Sequence, residues 1–212
     1  MRNTKEKILD TAEKLFAKQG FSATSIRQIT KVAGVNLAAL HYHFGSKDHV
    51  VLEIFVRRLN PLNKARLDRL EEYEQNSNRG DPSLNQVIEA FIGPPLRLGL
   101  RSGRGERQFM QLMGRAFTEP GHYWEELIMP QFKELAAVFL PAFRVHVPKL
   151  SEEDFFWRVI FMIGTMAHTM SAAPRLNFLS QGKCDVSDPE ETIKKMVTFL
   201  AGGFHARGDE GV

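Results

Sequence analysis

The sequence predicts an all-α protein: a three-helix N-terminal head followed by a larger helical body, about nine helices in total. Three observations predict it. Apolar residues recur at spacings of three and four along most of the chain, no segment sustains the alternation of a strand, and Gly, Pro and cap residues fall where the periodic segments end.

The first periodic segment begins at Thr4, where Ile8, Ala12, Leu15 and Phe16 form the stripe of an amphipathic helix that Gly20 ends. Ser25-Ile26-Arg27-Gln28 reads as a capping box: the Ser25 hydroxyl serves the amide three residues on and Gln28 reaches back. A short second helix therefore starts at Ser25, turns Ile26 and Ile29 inward and stops at Gly34, a residue suited to the left-handed conformation. Asn36 caps a third helix from Leu37 to about His43. Helix, Gly-containing turn and helix over residues 25–44 make a helix-turn-helix. Ser46 caps a fourth helix whose apolar side is Val50, Val51, Ile54, Phe55, Leu59 and Leu62, with a polar far end from Lys64 to Gln75.

Residues 76–82, NSNRGDP, carry every turn signal and mark the expected boundary between a head, 1–62, and a body, 76–206. In the body the sequence predicts helices at about 83–100, 105–118, 122–145, 151–173 and 189–206, with breaks at Gly103, Pro120-Gly121, Pro148, Pro174 and the polar run 180–189.

Charge separates the same two parts. Residues 1–60 hold ten Lys and Arg against five Asp and Glu, +5, and residues 61–212 hold 18 against 20, −2, so the modest total of +3 hides a basic head. Twelve of the 16 Phe and seven of the eight Met lie beyond residue 60. The single Cys, Cys184, excludes a disulfide framework and a multi-Cys metal site. No signal-peptide core or long apolar run is present, so a cytoplasmic, nucleoid-associated protein without a membrane partner is expected. No G-x-S-x-G, H-E-x-x-H or phosphate-binding glycine loop occurs, which argues against a lipid-converting helical enzyme; no catalytic residue, metal or cofactor is expected.

The chemistry concentrates in residues 25–47. The second helix of a helix-turn-helix enters the major groove, and flanking groups hold phosphates. Ala38 and Ala39 allow close approach and, with Leu37, can touch thymine methyls. His41, Tyr42 and His43 offer polar groups at the trailing end, and Ser25, Arg27 and Lys47 stand at helix N-termini suited to phosphate. The competing reading is a bundle with a merely solvated basic face.

Gly20-Phe21, Thr24-Ser25-Ile26, Ile29, Ala33-Gly34-Val35, Tyr42-His43-Phe44 and Ser46-Lys47 stand in the order found in the DNA-binding head of the TetR family of bacterial repressors, which residues 4–60 resemble. The chain departs from that pattern at Leu37-Ala38-Ala39 and at His41, which bears on the operator sequence. Carried over by position, the resemblance implies DNA contacts from Arg27, Leu37, Ala38, Ala39, His41, Tyr42, His43 and Lys47, with Leu40 and Phe44 in the core. It also implies a homodimer with one head per half-site of a near-palindromic double-stranded operator, joined through the last two long helices. Phe156, Ile160, Gly164, Ala167 and Ser171 trace a stripe on the first of these, and Met196, Phe199, Leu200 and Gly203 on the second; internal packing is the alternative.

The Phe and Met load of the body suits core packing, and also a site for an irregular apolar ligand. Residues 155–164 together with 109–117 are similar to the PsrA-type branch of the family, which implies an apolar tunnel for a long-chain fatty acid or acyl-CoA; a drug-like or aromatic compound is the alternative effector. The candidate lining is Phe109, Met113, Phe117, Phe139, Phe161, Met162 and Met166. Arg115 and Arg158 are candidates to meet a carboxylate, the alternative for each being a pair with Glu125, Glu126 or Glu152. The expected activity is repression relieved when the effector releases the protein from its operator.

Overall fold

A computed structural model of the chain describes residues 3–77, 81–100, 104–118, 122–184 and 188–206. The described residues form nine α-helices and no strand: α1 Thr4–Gln19, α2 Ile26–Ala33, α3 Leu37–Phe44, α4 Lys47–Asn76, α5 Leu84–Leu100, α6 Arg104–Thr118, α7 Lys133–Arg144, α8 Glu152–Leu179 and α9 Pro189–His205. The expected breaks at Gly103 and Pro120-Gly121 lie outside the described residues.

Local chemistry sets the helix ends of the head. The Asn3 side chain accepts from the Lys5 amide to open α1. Gly34 closes α2 at φ 67° and ψ 37°, a left-handed conformation that costs a side-chain-bearing residue roughly 1–2 kcal/mol. The expected capping box is only half formed. Ser25 Oγ accepts from the Gln28 amide at 3.2 Å, but the Gln28 side chain pairs with Gln19 at 2.8 Å and so ties α2 to the end of α1 instead.

Two compact units divide the chain, Met1–Pro61 with Gly103–Lys133, and Leu62–Ser102 with Glu134–Val212. The division falls inside α4, and residues 103–133, assigned to the body on sequence grounds, belong to the first unit. Phe109, Leu112 and Ala116 of α6 explain this, since they complete a core with Ile8, Phe16, Phe21, Ile54 and Phe55. Phe21 lies at its centre, 5.3 Å from Phe16 and 4.8 Å from Tyr123 between ring centroids.

The second unit packs α5 against α9 and α8, with Phe91, Phe139, Phe143 and Phe204 as a chain of ring contacts. Its polar edge is a network in which Glu89 receives Arg69 at 3.0 Å, Tyr73 at 2.8 Å and Arg97 at 2.6 Å. Burial pushes the Glu89 pKa up, but these donors outweigh it and hold the carboxyl below its ordinary range.

Two expected spans differ. Residues 123–128 form a π-helical segment and 129–132 a 3₁₀ turn before α7 begins at Lys133, because Pro130 has no N–H for an unbroken ladder. Conversely, α8 does not stop at 173; it passes Pro174 and ends at Leu179, since the missing amide removes a single bond from the ladder of a 28-residue helix.

Candidate nucleic-acid interface

Helix α3 is fixed by two buried side chains, Leu40 and Phe44, and by its N-terminal cap, where Asn36 Oδ1 accepts from the Ala39 amide at 2.7 Å. The opposite side is left to solvent. Leu37, Ala38, His41 and Tyr42 are exposed, Tyr42 at 87%, while Ala39 and His43 are half-buried. Apart from an edge contact with the neighbouring His43 ring at 5.2 Å, this large aromatic side chain is left to solvent. Residues 25–47 contain no Asp or Glu, so nothing on this face repels a phosphate backbone.

The other expected contacts divide into free and engaged groups. Arg27 is exposed on the first turn of α2, beside the exposed Ser25 whose hydroxyl caps that helix. His41 Nδ1 lies 2.9 Å from the Gly45 carbonyl, and since a carbonyl only accepts, Nδ1 is the donor of that bond and Nε2 is left for another partner. Lys47 is less free than its sequence position suggests. Its ammonium donates to the Phe21 carbonyl at 3.0 Å and the Thr24 carbonyl at 3.4 Å, so it also holds the loop before α2.

The proposed effector residues are divided between the two units. Phe109, Met113 and Arg115 belong to the first unit, while Phe139, Arg158, Phe161, Met162 and Met166 belong to the second. Phe109 is a core residue against Phe55, and Met113 packs on the same core. Arg115 donates to the Ala17 and Lys18 carbonyls at 2.9 Å each, and Arg158 to the Gly203, Phe204 and Ala206 carbonyls at 2.6–3.0 Å. Both guanidiniums thus serve helix C-termini, α1 and α9, where carbonyls lack intrahelical donors. Phe139, Met162 and Met166 are buried, whereas Phe161 is 60% exposed and stacks on Trp157 outside the core. The side chains of Phe117 and Ser171 lie outside those described.

An apolar outer face is present on α8 and α9. Phe156, Trp157, Ile160 and Phe161 are each about half exposed or more, Gly164 is exposed and Ala167 half-buried. On α9, Phe199 is 69% exposed and Gly203 is exposed, but Met196 and Leu200 turn into the core at 7% and 5%. Those two therefore pack within the chain, and Trp157 and Phe161 take their place on the outer stripe. Periodicity alone does not separate the two sides of a helix that is apolar nearly all round.

Two ionisable groups buried among the described residues, Glu13 and Arg66, are not singled out by the sequence. Arg66 is 3% exposed, on the side of α4 that carries Leu59, Asn63 and Leu70. The spacing of that stripe was the signal. No metal-holding group of three or more His, Cys, Asp or Glu occurs among the described residues, and no described helix is long and apolar enough to cross a membrane.

A capped, acid-free second helix on a small three-helix core, followed by a helical body, defines a helix-turn-helix regulator. The chain belongs to the TetR family: residues 8–54 match bacterial regulatory proteins of the tetR family, and residues 89–203, more than half the chain, match the tetracyclin repressor-like C-terminal domain. The HTH-type transcriptional regulator AcrR of Shigella flexneri is 37% identical over 91 residues, 43% of this chain and 40% of that protein. The chain thus aligns with well under half the length of that curated relative. Among solved structures, the fatty acid degradation regulator FadR of Bacillus halodurans superimposes with a TM-score of 0.66 at 14% identity over 98% of this chain and 99% of that one. The regulator FadR of Bacillus subtilis, solved in complex with stearoyl-CoA, gives 0.59 at 15% identity over 94% and 99%. At these identities the structural likeness is one of fold.

Proposed function

We propose that the protein is a dimeric, sequence-specific repressor that binds a near-palindromic operator and is released by an apolar effector of the fatty acid or acyl-CoA kind. The observation that carries this reading is the outer side of α3, where Leu37, Ala38, His41 and the 87% exposed Tyr42 stand on a capped helix with no acidic neighbour in residues 25–47. Leu37 and Ala38 would meet thymine methyls, Tyr42 and Arg27 phosphates, and His41 Nε2 a base edge. The exposed stripe on α8 and α9 supports dimerisation, because two heads supply the area that one short helix lacks. The names of the two FadR structures support the effector class. Such an effector acts only through its different affinity for the DNA-competent and released conformations.

Fluorescence anisotropy with DNA from upstream of the protein's own reading frame tests this. Binding should exceed that to a scrambled duplex by on the order of a thousandfold or more at physiological salt. Palmitate or palmitoyl-CoA should then release it. Equal affinity for both duplexes would remove the repressor reading, and release by neither compound would remove the effector class.

A further inference from the structure

We propose that Arg66 anchors the carboxylate of an apolar monocarboxylic acid bound in the interior of the second unit. This rests on the effector reading above and sharpens it, since it selects the free acid over its thioester. Arg66 Nε donates to the Phe91 carbonyl at 2.8 Å, its NH1 to Asn63 Oδ1 at 3.1 Å, and its NH2 faces Met166 Sδ at 3.8 Å. The guanidinium carbon lies 4.6 Å from the centre of the Phe91 ring. All of these partners are neutral. Among the described residues Arg66 is the buried arginine without a carboxylate; Arg57, Arg58, Arg69, Arg97 and Arg144 each hold one and keep a quarter or more of their side-chain surface in water.

A guanidinium buried away from water requires a counter-charge. Burial lowers the Arg66 pKa to about 9, so the group still carries its proton at neutral pH and the charge remains unmatched. It has five N–H donors in a fork that a carboxylate fills with two parallel bonds. The weakest present contact, the thioether of Met166, is also the most easily moved, since methionine is flexible and unbranched. Met162, Met166, Phe91 and Phe139 are buried apolar side chains of the same unit, suited to an alkyl chain. A thioester carbonyl or a hydroxyl brings no negative charge to Arg66, which is the basis of the selectivity.

The test is isothermal titration of the full chain with tetradecanoate and with tetradecan-1-ol, repeated on Arg66→Met. The wild type should bind the acid more tightly by on the order of tenfold or more. Arg66→Met should lose that preference and still bind the alcohol. Equal binding of both compounds by the wild type, or a preference that survives in the variant, overturns the Arg66 assignment and leaves an apolar effector standing. Binding of neither compound by the wild type overturns both. If the variant does not fold, the Arg66 Nε–H resonance of the wild type decides: it should move on adding the acid and not the alcohol, and an unmoved resonance overturns the assignment.

Discussion

Glu13 and Arg58 are joined by a fork, with Arg58 Nε 3.0 Å from Oε1, NH2 2.7 Å from the same oxygen, and Nε 3.2 Å from Oε2. Glu13 is 3% exposed on α1, and Arg57 of α4 closes the remaining side of Oε2 at 2.7 Å while also holding Glu6 and Asp10. The lock fixes α1 against the first half of α4 and so sets the frame on which α2 and α3 rest. Glu13→Ala leaves two arginines facing a vacated, buried carboxylate position. The expected loss is about 3 kcal/mol, the low end for a broken buried pair, because both arginines keep part of their surface in water. Urea unfolding should show a lower midpoint with an unchanged slope.

Asn36 separates stability from recognition. Asn36→Ala removes the bond to the Ala39 amide and should cost about 1 kcal/mol. Asn36→Asp keeps a capping oxygen yet adds a negative charge beside the proposed groove. It should melt close to the wild type and bind DNA more weakly; equal DNA affinity in Asn36→Asp would place the reading face elsewhere.

Tyr42 and Lys47 should behave differently although they stand five positions apart. Tyr42→Ala removes an exposed ring and should change folding stability by less than about 0.5 kcal/mol while weakening DNA binding without changing its salt slope. Lys47→Met removes the donor to the Phe21 and Thr24 carbonyls, and should lower stability by about 1.5 kcal/mol as well as weaken binding. Thermal melts run beside the anisotropy titrations distinguish the two patterns.

Ile160 and Phe161 are 56% and 60% exposed, so acidic substitutions there carry little cost for the isolated chain. If this stripe joins two copies, Ile160→Glu should sediment as a monomer with helical circular dichroism intact, and its operator affinity should fall towards that of a single head for a half-site. A variant that stays dimeric would move the interface to another surface.

Arg66 gives a pH signature. Its folded pKa, about 9, lies below the ordinary arginine value, so between these limits the unfolded chain holds more protons than the folded one. Stability contributed at this site therefore rises with pH above about 9, and the penalty of the buried charge is constant below it. Arg66→Met lacks the group. The difference in unfolding free energy between variant and wild type should be flat from pH 7 to 8.5 and shift in favour of the wild type above pH 9; a flat difference to pH 10.5 would mean that the guanidinium is better solvated than its surroundings imply.

The head was legible because its signals are local. Asn36 and Ser25 cap within three residues, Gly34 requires the αL conformation, and Leu40 and Phe44 follow the helical period. The Gln28 side chain is not legible in this way, because its partner, Gln19, sits on another helix and sequence spacing cannot rank it against the capping position. The body was harder for the same reason. Arg115 and Arg158 find carbonyls 97 and 45 residues away, contacts that no periodicity encodes, and α8 is apolar on too many sides for its buried face to be chosen from sequence. Arg66 was hidden inside a charged run from Lys64 to Gln75 that reads as solvated, although its register with Leu59, Asn63 and Leu70 places it on the inner side.

The division of labour on α3 has an evolutionary consequence. Leu40, Phe44 and the Asn36 cap hold the helix, whereas Leu37, Ala38 and Tyr42 project outward. Substitutions at positions 37, 38 and 42 are thus nearly invisible to folding, and if positions 37 and 38 meet bases as proposed above, a duplicated copy of this chain can drift to a new target sequence one residue at a time without passing through an unstable intermediate. His41 is the exception: its bond to the Gly45 carbonyl ties that position to the end of the helix, so drift there is slower.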